Sequence, residues 1–176
     1  MFRDCTAEDA GLVSHIYATS WRKSYRGIIA DHYLDRLPDD YWVTPVRSWL
    51  ISGQMSGKLI YHEKQPVGAC LYGTGRDEAY QDWGEIVSLY VLPDQAGQGY
   101  GSTLMETCLD DMRADGFRRF YVWVIDQNEP AKAFYLKHGF HFTSDKVAYA
   151  IGGETVQDLR MVKIEDWESV PMKEEV

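Results

Sequence analysis

The sequence predicts one α/β (α+β) domain: a mixed, mostly antiparallel sheet with helices on both faces and a β–α–β unit at its centre. Three observations predict it. Apolar residues recur at helical spacing up to about residue 50 and then switch to period two. Two later apolar runs, Glu85–Leu92 and Phe120–Ile125, show little alternation, as strands covered on both faces do. Between them lies a helical stripe, Leu104, Met105, Cys108, Leu109 and Met112, entered through Gly97, Gly99 and Gly101.

Each element has its own signal. Residues 1–5 read as a short strand. Thr6 suits a helix N-cap, with Asp9 in the capping-box position. Leu12, Val13, Ile16, Tyr17 and Trp21 carry a first helix to about Ser24, and Gly27 breaks it. A short helix fits Tyr33, Leu34 and Leu37 before Pro38, and another fits Trp42, Val46, Trp49 and Leu50 with Pro45 in its first turn. Lys58–Glu63 and Val67–Tyr72 read as a hairpin turned by Lys64-Gln65-Pro66, followed by a loop over Gly73–Gln81. Asp115-Gly116 ends the central helix. Pro130 opens a helix carrying Ala131, Phe134, Tyr135 and His138, and Gly139 stops it. Phe140–Ala150 and Glu154–Val162 form a last hairpin about Gly152-Gly153, and an acidic tail follows, so the domain is drawn as 1–163 and the tail as 164–176.

Composition narrows the function. A chain of 176 residues, 45% hydrophobic and 14% aromatic, can bury one sizeable core. A net charge of -9 argues against nucleic acid and anionic membranes, which reward cationic surfaces; solubility alone explains it, though it also suits a cationic partner. Cys5, Cys70 and Cys108 are odd in number and lack metal-ligand spacing, no secretory h-region opens the chain, and no apolar run reaches membrane-span length. The expectation is a soluble cytoplasmic protein without a metal.

The glycines carry the chemistry. Between a strand and a helix N-terminus, Gly97, Gly99 and Gly101 let main-chain N–H groups approach an anion, and the helix dipole adds partial positive charge. A phosphate or pyrophosphate pocket is expected there. A plain turn needs one special φ angle, not three alternate glycines.

Two separated segments carry a family resemblance. Leu89-Tyr-Val-Leu-Pro93 with Gln95-Ala-Gly-Gln-Gly-Tyr-Gly101 resembles the acetyl-CoA motif of the GNAT superfamily of N-acetyltransferases, and Asn128-Glu-Pro-Ala-Lys-Ala-Phe-Tyr-Leu-Lys-His-Gly-Phe140 resembles its Asn-x-x-Ala-x-x-Phe-Tyr-x-x-x-Gly-Phe segment. Trp21-Arg-Lys-Ser-Tyr-Arg-Gly-Ile28 is similar to the opening helix region of many such enzymes, so the likeness spans nearly the whole chain. Ala96 departs from the pattern: the family usually carries Arg or Gln there, and Gln95 or Gln98 is left to take over that contact.

The resemblance implies a single-domain GNAT-like fold that transfers an acetyl group from acetyl-CoA to a primary amine, on a small molecule or a peptide, by direct attack in a ternary complex. Main-chain groups of Leu89, Tyr90 and Val91 would pair with the pantetheine arm, and one N–H would polarise the acetyl carbonyl. Gly97, Gln98, Gly99, Tyr100, Gly101 and Ser102 would hold the pyrophosphate. Tyr135 would protonate the departing thiolate, phenol and thiol having neighbouring reference pKa values of about 10 and 8.5. Glu85 is the candidate general base, at a strand position where some members carry a glutamate and against which the alternative is a solvated strand end; others use the following strand, here at Trp123. Asn128 would bond the cofactor arm, cap its helix, or both. Trp21 and Tyr25 line an acceptor pocket or simply pack the first helix.

Other readings stay open. A dinucleotide-binding oxidoreductase is supported by Asp126 after its strand, but the glycine spacing is Gly-x-Gly-x-Gly rather than Gly-x-Gly-x-x-Gly. A non-catalytic acyl-CoA sensor is the third. His138 and His141 flank a glycine without further ligands, and Cys108 lies on a core stripe, so neither zinc nor covalent chemistry is expected. Aromatics near the last hairpin suggest a homodimer. The acceptor itself is not written in the sequence.

Overall fold

The computed structural model describes residues 1–165. One sheet of seven strands runs through it in the order β1-β2-β3-β4-β5-β7-β6. The strands are β1 (Phe2–Asp4), β2 (Met55–His62), β3 (Gln65–Thr74), β4 (Gly84–Val91), β5 (Arg119–Ile125), β6 (His141–Ile151) and β7 (Glu154–Ile164). The helices are α1 (Ala10–Ser24), α2 (Asp31–Arg36), α3 (Val43–Ser52), α4 (Tyr100–Ala114) and α5 (Glu129–Lys137). Every strand pairing is antiparallel except β4 with β5, the pair joined by the crossover helix α4. The expected order of elements and the two-sided cover are therefore observed.

Both faces of the sheet are packed, which is why the inner strands lost their alternation. Cys70, Tyr72 and Ile86 meet the stripe of α4, whose Leu104, Met105, Cys108, Leu109 and Met112 are all buried. On the other face Leu59, Ala69 and Leu71 meet Val13, Ile16 and Tyr17 of α1 and Val46 of α3. Each such Leu or Met contributes about 2 kcal/mol on removal from water. A third cluster, with Tyr25, Ile29, Leu34, Ile125 and Val156, sits where α1 and α2 cover the β5–β7 end.

The structure moves several boundaries. The β2–β3 hairpin turns on Glu63-Lys64, not Lys64-Gln65-Pro66: His62 pairs with Gln65, and Glu63 takes a left-handed φ of 52°. Pro66 lies within β3 opposite Tyr61, where the register shifts, as suits a residue with no N–H to give. The stretch expected as a loop over Gly73–Gln81 begins in β3 and contains a 3-10 turn at Glu78–Tyr80, whose Ala79 N–H is capped by Asp77. The last strand runs one residue past the drawn domain end, Ile164 pairing with Arg119; the tail beyond residue 165 lies outside the described residues. Gly152 and Gly153, with φ of 61° and 87°, make the two-residue turn of the final hairpin.

The first helix is entered through a short 3-10 turn, Ala7–Asp9, held from its acidic end. Asp9 accepts from Thr6 N at 2.8 Å and from Arg3 Nη1 and Nη2 at 2.8 and 2.7 Å. Arg3 first, with help from the Thr6 amide, pulls the Asp9 carboxyl down to about 2. A carboxyl lowered on folding adds stability above its unfolded pKa, near 4, and loses it as pH falls through the folded value. Asp9→Asn should cost about 1 kcal/mol at neutral pH, a typical capping loss. The gap in melting temperature from the wild type should close between about pH 4 and pH 2.

Candidate active site

The site exists because two parallel neighbours part. β4 and β5 share the pairs Gly84–Phe120, Glu85–Tyr121 and Ile86–Val122, and no more. At the same level β4 carries a bulge: Ile86 faces Tyr72 of β3 and Ser88 faces Leu71, leaving Val87 unopposed. A bulge bends its strand and increases local twist. Beyond it β4 follows β3 to Val91 while β5 stays with β7. The β4 main-chain groups that face β5 there have no strand partner among the described residues, inside a molecule where such groups are normally paired.

A cavity of about 950 Å³ fills the opening. Leu89, Tyr90 and Val91 form one wall, and Gly97, Gly99, Tyr100, Gly101 and Ser102 form one end. Gly97 and Gly99 have φ of 79° and 87°, and a Cβ on either would enter open space. Gly99 is the N-cap of α4, so the first-turn amides of a 15-residue helix are left for an anion. Gln98 lies in this turn but its Nε2 donates to Gln95 Oε1 at 3.2 Å. Ser102 Oγ lies 3.0 Å from His138 Nε2, whose Nδ1 lies 3.2 Å from Glu106 Oε1.

Tyr135 is buried on α5 and lines the cavity. Burial holds its phenol well above the ordinary range, so it stays protonated. No group among the described residues is hydrogen-bonded to its hydroxyl. Asn128 caps α5, accepting from Ala131 N at 3.2 Å, and also lines the cavity.

Glu85, expected as a base or a solvated strand end, is 2% exposed. Its Oε2 accepts from Arg76 N and Nε, both at 3.0 Å, and from Tyr121 Oη at 2.8 Å; its Oε1 accepts from Arg76 Nη2 at 2.7 Å. The solvated-end alternative is excluded by that burial. Trp123, the other strand position considered, is stacked on the Arg160 guanidinium at 4.4 Å.

Trp21 and Tyr25 reach the cavity from α1. Trp21 Nε1 donates to Tyr90 Oη at 2.9 Å, and the Tyr25 and Tyr90 hydroxyls lie 3.1 Å apart. The Tyr90 side chain thus faces the α1 side of the sheet. Two residues absent from the sequence reading join them: Asp158 of β7 and Tyr149 of β6, whose hydroxyl donates to Asp158 Oδ1 at 3.2 Å. Both lie in the closing hairpin, where strand periodicity marks a face but not a cavity; the one signal was an acid within an otherwise strand-like run.

These features define a class: an α/β fold with an opening between two parted strands, ended by a glycine turn at a helix N-terminus and of a shape that suits an extended, phosphate-bearing co-substrate. Residues 11–140 match the acetyltransferase (GNAT) family, and the chain belongs to it. It is an acyl-CoA-dependent N-acetyltransferase. An uncharacterized N-acetyltransferase of Bacillus subtilis, YuaI, is 30% identical over 134 residues, covering 76% of this chain and 75% of its own. A spermidine N(1)-acetyltransferase of Thermoplasma acidophilum is 22% identical over 78% of this chain and 86% of its own. The fold matches the PaiA N-acetyltransferase of Thermoplasma acidophilum, solved with coenzyme A, at a TM-score of 0.76 and 20% identity over 93% of this chain and 98% of that one. The oxidoreductase alternative is not favoured: the family is an acetyltransferase family, and the sheet is antiparallel but for one pair.

The glycine turn can be probed directly. Gly99→Ala must hold an L-residue at φ near 87°, a strain of about 1–2 kcal/mol, and its methyl would project into the open cradle. Calorimetry should show the Kd for coenzyme A rising at least tenfold, with the protein still folded.

Proposed function

We propose that the chain transfers the acetyl group of acetyl-CoA directly to a primary amine in a ternary complex. The parting of β4 from β5 above Tyr135 is the observation that carries this reading. The β5-facing main-chain groups of Leu89–Val91 have no strand partner there among the described residues, although the Val91 carbonyl accepts from Ser20 Oγ at 3.2 Å. They suit an extended pantetheine arm, added to the sheet edge as a further strand would be. One of their N–H groups would polarise the thioester carbonyl and stabilise the charge that gathers on its oxygen during attack. The Gly97–Ser102 turn would hold the pyrophosphate, with Asn128 beside the arm. The neighbour solved with coenzyme A supports the cofactor, and the spermidine-named relative supports an amine acceptor.

Tyr135 would supply the proton to the thiolate. In water that transfer runs uphill by about 2 kcal/mol, the phenol being the weaker acid by about 1.5 units. Burial weakens the phenol further, but a thiolate forming in the same apolar channel is raised by the same desolvation. What matters is the match between the two buried groups, not the value of either in water. Tyr135→Phe should lower kcat at least tenfold and leave the acetyl-CoA Kd within twofold. Unchanged turnover would remove the assignment.

For Glu85 we propose a positioning role. A base needs an oxygen directed at the acceptor, and four hydrogen bonds from Arg76 and Tyr121 already converge on this carboxylate. Those bonds hold the segment after β3 against the origin of the opening. Glu85→Gln should lower thermal stability by about 1–3 kcal/mol, because the charge-assisted bonds of the buried carboxylate to Arg76 and Tyr121 are lost while Arg76, 40% exposed, can turn to solvent. The acidic limb of the kcat profile should persist. Its disappearance would restore Glu85 as the base.

A further inference from the structure

Asp158 stands apart in its charge balance. Three acidic side chains line the cavity: Asp77, Glu85 and Asp158. Asp77 is paired with Arg160 and Glu85 with Arg76. Asp158 has no Lys, Arg or His partner among the described residues; its one hydrogen bond comes from Tyr149 Oη. A half-buried carboxylate without a cation is costly to keep ionised.

What surrounds it indicates what would balance it. Tyr149 of the neighbouring β6, Tyr90 of β4, and Trp21 and Tyr25 at the C-terminal end of α1 line the same cavity. Burial, and to a smaller degree the Asp158 charge, hold the phenols of Tyr90 and Tyr149 above their ordinary range, so both are neutral. The Tyr25 phenol is raised mainly by burial and is neutral as well. Of the cations near the cavity, Arg76, Arg160 and Lys132 are paired with Glu85, Asp77 and Asp126, and Lys137 of α5 lines the cavity without an ion pair to Asp158. An anion walled by electron-rich rings is complementary to an alkylammonium ion, which gains both the charge pair and cation–π contact. It is hostile to a carboxylate.

We infer that Asp158 is the docking group for the acceptor's ammonium, and that the acceptor is an aliphatic amine with no carboxylate beside its amino group. This rests on the proposed acetyl transfer and adds the class of acceptor to it. The docked ammonium loses one proton to solvent to attack as the neutral amine. Once acylated, the nitrogen returns its second proton to the Tyr135 phenoxide left by protonation of the thiolate. The ammonium meets Oδ2, since Oδ1 is engaged by Tyr149. The Tyr149 bond occupies Oδ1, and Oδ2 of this cavity-lining residue has no hydrogen bond among the described residues. Burial pushes the free Asp158 carboxyl up to about 6, so below that pH it is neutral and cannot pair with a cation. Acceptor affinity should therefore fall as pH drops through about 6.

The test compares wild type with Asp158→Asn at saturating acetyl-CoA, following thiol release with 1,4-diaminobutane, n-butylamine and L-alanine. Calorimetry supplies the Kd of acetyl-CoA and of 1,4-diaminobutane for each protein. The two alkylamines should be acetylated, with L-alanine at least tenfold poorer in kcat/KM. Asp158→Asn should raise the alkylamine KM and the diaminobutane Kd at least tenfold, change kcat less than threefold, and keep the acetyl-CoA Kd. The rise in KM below about pH 6 should vanish in the variant, and Asp158→Glu should recover part of the alkylamine affinity. Equal use of L-alanine, an unchanged alkylamine KM in Asp158→Asn, or acetyl-CoA binding without transfer to either alkylamine would overturn the inference and leave cofactor binding standing. Failure of the wild type to bind acetyl-CoA would instead overturn the proposed function beneath it.

Discussion

The structure turns on the bulge at Val87. A sheet of seven strands has every reason to close its ladder, because each unpaired main-chain group in its interior forgoes a hydrogen bond. Here one extra residue in β4 breaks the register with β3 and coincides with the last pair to β5. β5 cannot follow the bend, since it is held to β7 along Arg119–Ile125. The opening is thus a geometric result of two ladders that disagree. The core clusters on each face keep the two halves from drifting: α4 packs on β2, β3 and β4, while Phe140 and Met161 tie the far side into the same core.

Around that opening the polar groups are arranged so that little charge is left unbalanced. Glu85, deep at the point of divergence, is matched by Arg76 and Tyr121. Arg160 is 4% exposed, salt-bridged to Asp77, and enclosed by the rings of Tyr80, Trp123 and Tyr121. Buried ion pairs contribute little net stability beyond well-packed apolar groups, yet removing one partner is costly. They fix geometry. The cavity walls are rigid where Arg76 and Arg160 pin the segment after β3 to β4 and β7, and the hydroxyls of Trp21's partner Tyr90 and of Tyr25 form a short bonded chain above them.

Most of the fold was legible because its signals are local. The α4 stripe, the Gly152-Gly153 turn and the Pro130 helix start each follow from a few adjacent residues, and all three stand as read. Pro66 misled because proline marks turns more often than edge positions, whereas here the register shift accommodates it within a strand. The glycine turn and Tyr135 were visible through family motifs. The partners of Glu85 were not: Arg76 is in an irregular segment, and Tyr121 meets it only through the parallel pairing of β4 and β5. Asp158 and Tyr149 escaped for the same reason. They are distant from the glycines in sequence and meet the cavity only because β7 lies beside β5.

Charge separation within the cavity resolves an apparent conflict in the composition. A chain of net charge -9 should repel a polyphosphate co-substrate. That repulsion is screened beyond roughly 8–10 Å at physiological salt, whereas amides at a helix N-terminus act within contact distance and in a partly dry site. On the proposed reading, binding of the anion is then governed by the few groups around Gly97–Ser102, and the wider surface matters little. For the cationic acceptor proposed above the same screened field is attractive but equally weak, and contact with Asp158 would supply the hold. On that reading one acidic protein takes two oppositely charged substrates in one opening, because each would be held by groups at contact distance rather than by the surface field.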